Sequence, residues 1–246
     1  MKKVYVFDID GTLTPPRQRM DENFAEFFLP FAKENIVYLA TGSDIEKARE
    51  QVDKRVLTLC RGVFACSGNE FWERGKRVYS HEFQPHPQLV TFLERCVEES
   101  DFPLKTGKHF EHRPGMLNFS VVGRNATLEE RARYHEWDER KRERMSIAIT
   151  ILAQPKEFRN VDVSIGGEIS IDIYPKGKDK SQAVNMVREI HGLPIVFMGD
   201  KMGPNGNDFP AARALKAGDT ACQVENWQMT ELLIRKELEK QHGEKE

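Results

Sequence analysis

An α/β fold is predicted for this chain: a parallel-sheet core interrupted by an inserted α+β domain of antiparallel sheet and helices. Three observations predict it. Short, wholly apolar runs alternate with helical stretches near both ends of the chain, the rhythm of a parallel sheet covered on both faces. Between about His81 and Tyr174 the runs change to alternation, the mark of an antiparallel sheet with one face out of the core. Polar clusters follow the apolar runs directly, and in an open α/β sheet the strand carboxyl ends form the ligand crevice.

Taken in order, Lys3 to Phe7 read as a buried strand, a β-branched and aromatic run followed by turn residues. Asp21 to Lys33 carry Phe24, Phe27, Phe28 and Phe31 at helical spacing. Ile36 to Ala40 form a second strand, and Ser43 or Asp44 can cap the helix Ile45 to Val52. In the middle of the chain, "MLNFSVVG" (116–123) and "EISIDIY" (168–174) alternate, while Leu89 to Glu99 and Leu128 to Arg144 read as helices. The pattern then returns to helix Ser181 to His191, strand Ile195 to Met198 and helix Asp208 to Leu215, before a charged amphipathic helix from Trp227 to about Lys240. Pro and Gly concentrate near 82–86 and 175–178, which sets the core at 1–82 and 176–246 and the insertion at 83–175.

Bulk properties exclude several classes. The 246 residues, 39% hydrophobic and 31% charged, describe an ordinary globular chain, and a net charge of -2 gives no reason to expect nucleic acid or an acidic membrane as partner. No apolar run approaches about 18 residues, and the first residues are too short for a signal peptide, so a cytoplasmic location is expected. Cys60, Cys66, Cys96 and Cys222 lack tight metal spacing and read as reduced structural thiols. His109 and His112 have no third ligand nearby and read as ordinary histidines.

The chemistry is concentrated in four clusters: Asp8 with Asp10, Thr41 with Ser43, Lys176 to Lys180, and "GDKMGPNGND" (199–208). A carboxylate at the mouth of a buried strand is costly unless a cation or hydrogen bonds compensate it. Asp8, Asp10 and Asp200 can supply oxygens to a hard cation, and Mg²⁺ suits a site with few carboxylates completed by water and substrate phosphate. One aspartate can then attack phosphorus, while the second moves the proton of the leaving or entering oxygen. Lys180 and Thr41 would hold phosphoryl oxygens. Plainer readings stand beside these: DxDG as a turn or calcium-type loop, Lys176 as a solvated lysine, and Asn207 and Asp208 as loop-orienting groups.

In this order and spacing the clusters resemble the four motifs of the haloacid dehalogenase (HAD) superfamily. The resemblance implies a HAD-type, Rossmann-like parallel core with an inserted α+β cap. It implies Asp8 as nucleophile, Asp10 as general acid/base, Thr41 and Lys180 in the second and third motifs, and Asp200 with Asp208 in the fourth. Mg²⁺ would then lie on Asp8, the backbone carbonyl of Asp10, and Asp200, with Asp208 beside them; Ser43 and Asn207 would orient their loops.

The insertion holds Arg113, Arg124 and Arg131, and the core adds Arg17. Arginine grips phosphate by a bidentate fork at any relevant pH. Arg124 ends a strand and Arg131 opens the next helix, so both can line one anion pocket; a plain helix-surface arginine is the alternative for Arg131. Arg133, Arg140, Arg142 and Arg144 read as the outer face of a charged helix laced with Glu139 and Glu143. Ser170 and Asp172 share one strand face, either gripping sugar hydroxyls or merely solvated.

"FDIDGTLTPPRQRM", "GSDIEKAREQ", "RPGMLNFSVVGR", "EERARYHEWD", "SIGGEISIDIYPKGKDK" and "GDKMGPNGND" together are similar, over nearly the whole chain, to the eukaryotic-type phosphomannomutase family. The resemblance implies that Arg17, Arg113, Arg124 and Arg131 grip the distal phosphate of a hexose phosphate and that Ser170 and Asp172 hold sugar hydroxyls. It further implies interconversion of mannose 6-phosphate and mannose 1-phosphate with Mg²⁺ and a hexose 1,6-bisphosphate activator, by a homodimer joined through the cap. Three positions depart from the family pattern: Thr41 in place of glycine, "FACSGNEFW" without Glu-Asn-Gly, and Pro114 in place of asparagine. Thr41 is the residue of hydrolytic relatives, so a sugar-phosphate phosphatase is the alternative; a non-enzymatic binder fits poorly with so full a set of site residues.

Overall fold

The computed structural model describes residues 2–154, 156–204 and 206–243. Its first sheet begins with β1 (Val4–Phe7), every residue of which is buried, as its uninterrupted apolar run requires. Helix α1 (Glu22–Glu34) is capped by Asp21, whose carboxylate accepts from the Phe24 N–H at 3.0 Å. Its aromatic stripe meets the sheet, with the Phe7 and Phe28 rings 5.2 Å apart edge to face. Replacing Phe28 by alanine would cost roughly 3–5 kcal/mol. After β2 (Ile36–Ala40), Asp44 rather than Ser43 caps α2 (Ile45–Gln51), accepting from Lys47 N–H at 2.8 Å. There follow α3 (Lys54–Leu59), β3 (Gly62–Ala65), a 3₁₀ turn at Cys66–Gly68, and the strands β4 (Glu70–Glu73) and β5 (Lys76–Ser80).

The chain then builds a second sheet with its own helices: α4 (Pro87–Glu99), β6 (Phe110–Arg113), β7 (Met116–Phe119), α5 (Leu128–Lys141), α6 (Glu143–Ala153), β8 (Val161–Gly166) and β9 (Ser170–Pro175). It returns through α7 (Ser181–His191), β10 (Ile195–Gly199), α8 (Phe209–Arg213), β11 (Thr220–Gln223) and α9 (Trp227–Gly243).

Among the described residues the first sheet runs β11-β10-β1-β2-β3-β4-β5, parallel from β11 to β3 and antiparallel beyond. The chain winds outward from β1 to β3 and later resumes on the other side of β1. The topological switch point, where such sheets bind ligands, therefore falls between β1 and β10. The second sheet is antiparallel, ordered β6-β7-β9-β8. Period-two alternation divides its faces: Leu117, Phe119, Ile171 and Ile173 enter a hydrophobic cluster with α4 to α6, while Asn118, Ser170 and Asp172 take the opposite face. Met116 and Tyr174, on that opposite face, pack into the core of the first sheet and bring the two sheets together.

Two sequence expectations are overturned. The single helix from Leu128 to Arg144 is two helices, broken at Arg142, whose backbone is left-handed (φ 58°). Arg144 is consequently not on an outer face. It is buried, with its Nε 2.7 Å from Asp138 Oδ2 and its N–H donating to Asp138 Oδ1 at 2.9 Å. Arg140 and Arg142 do lie outside, facing Glu136 and Glu139. The elements α3, β4 to β6, α6, β8 and β11 were not anticipated.

Candidate active site

Asp8 follows β1, Asp200 follows β10, and Asp208 opens α8, so the switch point gathers three carboxylates. Their oxygens lie within 4.8 Å of one another. Lys180, at the N-terminal end of α7 and 1% exposed, sits among them: its Nζ donates to Asp8 Oδ1 at 2.7 Å and to Asp208 Oδ1 at 2.5 Å. Lys176 and Lys178 are exposed, so only one lysine of that cluster enters the site. The Asp208 side chain also accepts from Lys201 N–H at 3.0 Å. Asp8 Oδ2, by contrast, is buried with no hydrogen-bond partner.

The backbone is cut close to fit these groups. Gly11 holds φ +81°, and a Cβ there would lie 2.5 Å from Asp200 Oδ2. A Cβ at Gly199 would lie equally close to Asp208 Oδ2, at 2.5 Å. Burial first, and the nearby Asp208 charge second, raise the Asp8 carboxyl well above the usual carboxylate range, with Lys180 pulling the other way. The same two causes push Asp200 up to about 7. Burial works against the Lys180 charge, but Asp208 and Asp8 outweigh it and hold the ammonium above its ordinary pKa. Clustered, partly desolvated carboxylates with an orphaned oxygen are short of positive charge, and their hard oxygens fit a divalent cation such as Mg²⁺.

Asp10 stands apart from this cluster. Its Oδ1 accepts from Arg17 N–H at 2.7 Å and from Gln51 Nε2 at 2.8 Å. Gln51 ends α2 on the buried face it shares with Ile45 and Ala48. A glutamine at that spacing was the signal that could have found it. Thr41 is buried behind the crevice, and its Oγ1 accepts from Ser43 N–H at 3.0 Å. The Asn207 side chain lines the same space with its Oδ1 unpartnered.

The polar face of the second sheet roofs a crevice of about 90 Å³ over these groups. Asp172, 3% exposed, accepts from Asn118 Nδ2 at 2.6 Å, and Ser170 Oγ accepts from Arg124 Nη1 at 3.0 Å. Neither is a solvated strand residue. Contacts join roof to floor: Arg113 Nη1 donates to the Gly42 carbonyl at 3.2 Å, and Lys201 Nζ to the Gly167 carbonyl at 3.3 Å. A second cavity of about 250 Å³ adjoins the crevice, sharing Arg17, Ser43, Arg113 and Arg124 with it and adding Arg131. Arg131 is buried, holding the Ala126 and Arg124 carbonyls at 2.8 and 2.6 Å, while its Nη1 has no partner.

Burial, then repulsion from Arg113 and Arg17, brings the Arg124 pKa down to about 10; burial with repulsion from Arg131 lowers Arg17, and burial with repulsion from Arg124 lowers Arg131. Arg113 is the exception. Burial disfavours its charge, but Asp172 and Glu111 more than restore it. Glu111 accepts from Arg113 Nη2 at 2.6 Å and lies 3.1 Å from Arg124 Nε. Sequence reasoning missed Glu111, Asn118 and Gln51. The second cavity sets four guanidiniums with Lys47 and Lys108 against two carboxylates, Asp44 and Glu111, an excess of positive charge that suits an anion of more than one charge.

Fold comparison gives the class first. An IMP-bound, N-terminally truncated IMP-nucleotidase of Plasmodium falciparum superposes with a TM-score of 0.68 at 15% identity, over 96% of this chain and 68% of that one. A protein described as related to trehalose-6-phosphate phosphatase gives a TM-score of 0.52 at 18% identity, over 98% and 100% of the two chains. The fold is HAD-type, as the four motifs imply. The family follows from sequence. The family described as eukaryotic phosphomannomutase matches residues 24–231. Curated phosphomannomutases are similar throughout: 36% identity over 222 residues in Drosophila melanogaster (83% of this chain, 84% of the relative) and 33% over 213 residues in Dendrobium officinale (84% and 83%). That of Spinacia oleracea is 31% identical over 242 residues, 95% of this chain and 96% of the relative. The chain belongs to the eukaryotic phosphomannomutase family and is an enzyme. No helix among the described residues is long and apolar enough to cross a membrane.

Proposed function

We propose that the chain interconverts mannose 6-phosphate and mannose 1-phosphate through a phosphoaspartate on Asp8, primed by a hexose 1,6-bisphosphate. The carrying observation is the pairing of two sites across one crevice: a carboxylate cluster with one free buried oxygen, and an arginine cavity that shares four lining residues with it. One takes the reacting phosphoryl group and the other grips the distal phosphate. Residues 83–175 act as the cap that brings the second half over the first. Exposed Leu128, Ile149 and Leu152 on the outer helices of that cap support a homodimer through it. A cytoplasmic location fits the composition.

Asp8 Oδ2 attacks phosphorus of the bisphosphate, the bond from phosphorus to the sugar oxygen breaks, and Asp10 delivers a proton to that oxygen. On the primed enzyme the free hydroxyl of a mannose monophosphate attacks the phosphoaspartate, Asp10 takes its proton, and the Asp8 carboxylate is restored with a mannose 1,6-bisphosphate formed; that bisphosphate, turned end for end, presents its other phosphate to Asp8, which takes it as before and releases the opposite monophosphate. Lys180 holds Asp8 in line and balances the phosphoryl oxygens. Asp10 is readied by its fixed Oδ1, since Gln51 and the Arg17 backbone leave Oδ2 for the proton. Mg²⁺, held by Asp8, Asp200 and the Asp10 carbonyl with Asp208 adjacent, would offset the phosphoryl charge. Arg17, Arg113, Arg124 and Arg131 bind the distal phosphate, and Ser170 and Asp172 the sugar hydroxyls.

A second reading, a sugar-phosphate phosphatase, is favoured by Thr41, whose Oγ1 accepts from Ser43 and so keeps its own proton for a water or phosphoryl oxygen. Incubation with mannose 1-phosphate, Mg²⁺ and catalytic glucose 1,6-bisphosphate separates the two. Mannose 6-phosphate is the expected product; free phosphate and mannose as the main products would replace the mutase reading by the phosphatase.

A further inference from the structure

A larger cleft lies away from the catalytic crevice, between α2, α3 and strands β3 and β4, and shares no lining residue with it. Its volume, about 670 Å³, is within the range of roughly 300–1,000 Å³ typical of small-molecule sites. Ile45, Leu57, Val63 and Trp72 give it apolar walls. The charged side chains lining it are all cationic: Arg49, Lys54 and Arg74, with no carboxylate among them. In a chain of net charge -2 this lining concentrates positive charge locally.

The cations are set in place. The Arg49 guanidinium lies 4.6 Å from the Trp72 ring centroid, over its face. Arg49 does pair with Glu46 on the helix surface, at 2.7 Å, but Lys54 and Arg74 have no ion-pair partner among the described residues. Arg74 occupies a left-handed position, φ 49°, before Gly75 at φ 76°, in the two-residue turn joining β4 to β5. That turn prefers Asn, Asp or Gly, so an arginine there is held in a conformation that L side chains rarely adopt. Its return is a guanidinium at the rim of the cleft. The Trp72 indole N–H, sealed from solvent, has no acceptor among the described residues.

We propose that this cleft is a second ligand site, for a small amphipathic anion. A flat or chain-like apolar body lies against Ile45, Leu57, Val63 and Trp72, and a single oxyanion head (carboxylate, sulfonate or phosphate) meets Arg49, Lys54 and Arg74. Apolar area sets the depth of binding and the guanidinium forks select the charge.

The test uses 1-anilinonaphthalene-8-sulfonate as probe, titrated into the full chain with energy transfer from tryptophan as readout. One saturable site is expected, unchanged by saturating mannose 1-phosphate and Mg²⁺. N-phenyl-1-naphthylamine, the same body without the sulfonate, should bind at least roughly tenfold more weakly, as should the sulfonate to Arg49→Ala or Arg74→Gly. Arg74→Gly relieves the turn, so it keeps the fold, and both variants should turn over mannose 1-phosphate normally. Unchanged affinity in both variants, displacement by the hexose phosphate, equal binding of the neutral analogue, or no binding at all would each overturn the proposal. A cleft blocked by a second copy, seen as probe affinity that falls as sedimentation shifts to dimer, would overturn it too.

Discussion

Replacing Lys180 by methionine removes the one cation buried among Asp8, Asp200 and Asp208 while keeping most of its volume. Both its partners are fully buried, within 2.7 and 2.5 Å of the ammonium. Breaking a buried pair by deleting one member costs about 3–5 kcal/mol, because the partner charge stays behind without compensation. For a chain of this size each kcal/mol moves the melting temperature by about 2–4 °C, so a drop of about 6–20 °C is expected. Metal-free protein at pH 8, followed by circular dichroism, gives the reading. The deficit should narrow toward pH 5, where the stranded carboxylates take up protons, and again on adding Mg²⁺ at pH 8. A variant that melts within about 2 °C of the parent would mean that Lys180 does not balance these charges, and the site geometry argued above would fail with it.

Asp8→Asn should abolish turnover while the hexose phosphate still binds, measured by calorimetry; residual turnover above background would remove Asp8 as nucleophile. Arg124→Ala should raise KM for mannose 1-phosphate by roughly 10- to 100-fold, the loss of one charge-assisted hydrogen bond to phosphate, yet leave p-nitrophenyl phosphate hydrolysis nearly unchanged. Equal losses on both substrates would place Arg124 outside the distal pocket. The folded-state pKa of Asp200, raised to about 7, lies above its unfolded value, so the folded state binds the extra proton between about pH 4 and 7. Metal-free stability should therefore fall as pH rises through that window, and Mg²⁺ should bind more tightly as pH rises; a melting temperature that climbs over the same window without metal would contradict the shift.

The parts of the molecule that announce themselves in sequence are those whose residues answer to one neighbour surface. β1, β2 and α7 carry apolar patterns dictated by burial on two faces or one, and their bounds are legible to within a residue or two. The region after Asp53 is not. β4 and β5 sit at a sheet edge, and β5 is KRVYS with most side chains exposed, so no burial pattern marks it. The break at Arg142 has no Gly or Pro to betray it; it follows from a tertiary pair, Asp138 with Arg144. The site divides the same way. Asp8 and Asp200 are polar residues at the ends of apolar runs, a contradiction visible in one dimension. Glu111 is one more charge in a charged stretch, and only the fold reveals that it lies between two arginines.

The disposition of charge supports the proposal that one scaffold accepts a sugar phosphate from either end. Floor and roof of the crevice lean to opposite signs: Asp8, Asp200 and Asp208 around Lys180 below, and the guanidiniums of Arg113 and Arg124, partly offset by Asp172 and Glu111, above. Burial is the first cause of the raised Asp8 pKa and of the lowered Arg124 pKa, and like charges beside each (Asp208 for Asp8, Arg113 and Arg17 for Arg124) add to it, so floor and roof each favour an incoming group of opposite sign. A molecule with a phosphate at each end, bound with metal on the floor, relieves both at once. Its two ends are nearly equivalent in charge, so the field does not distinguish which phosphate is distal, and turning the intermediate end for end costs little electrostatic selectivity. Water offers the roof nothing. On the proposed mutase reading, a preference for a sugar hydroxyl over water would rest on keeping the roof down while Asp8 carries the phosphoryl group, and the contacts from Arg113 to Gly42 and from Lys201 to Gly167 join roof to floor directly.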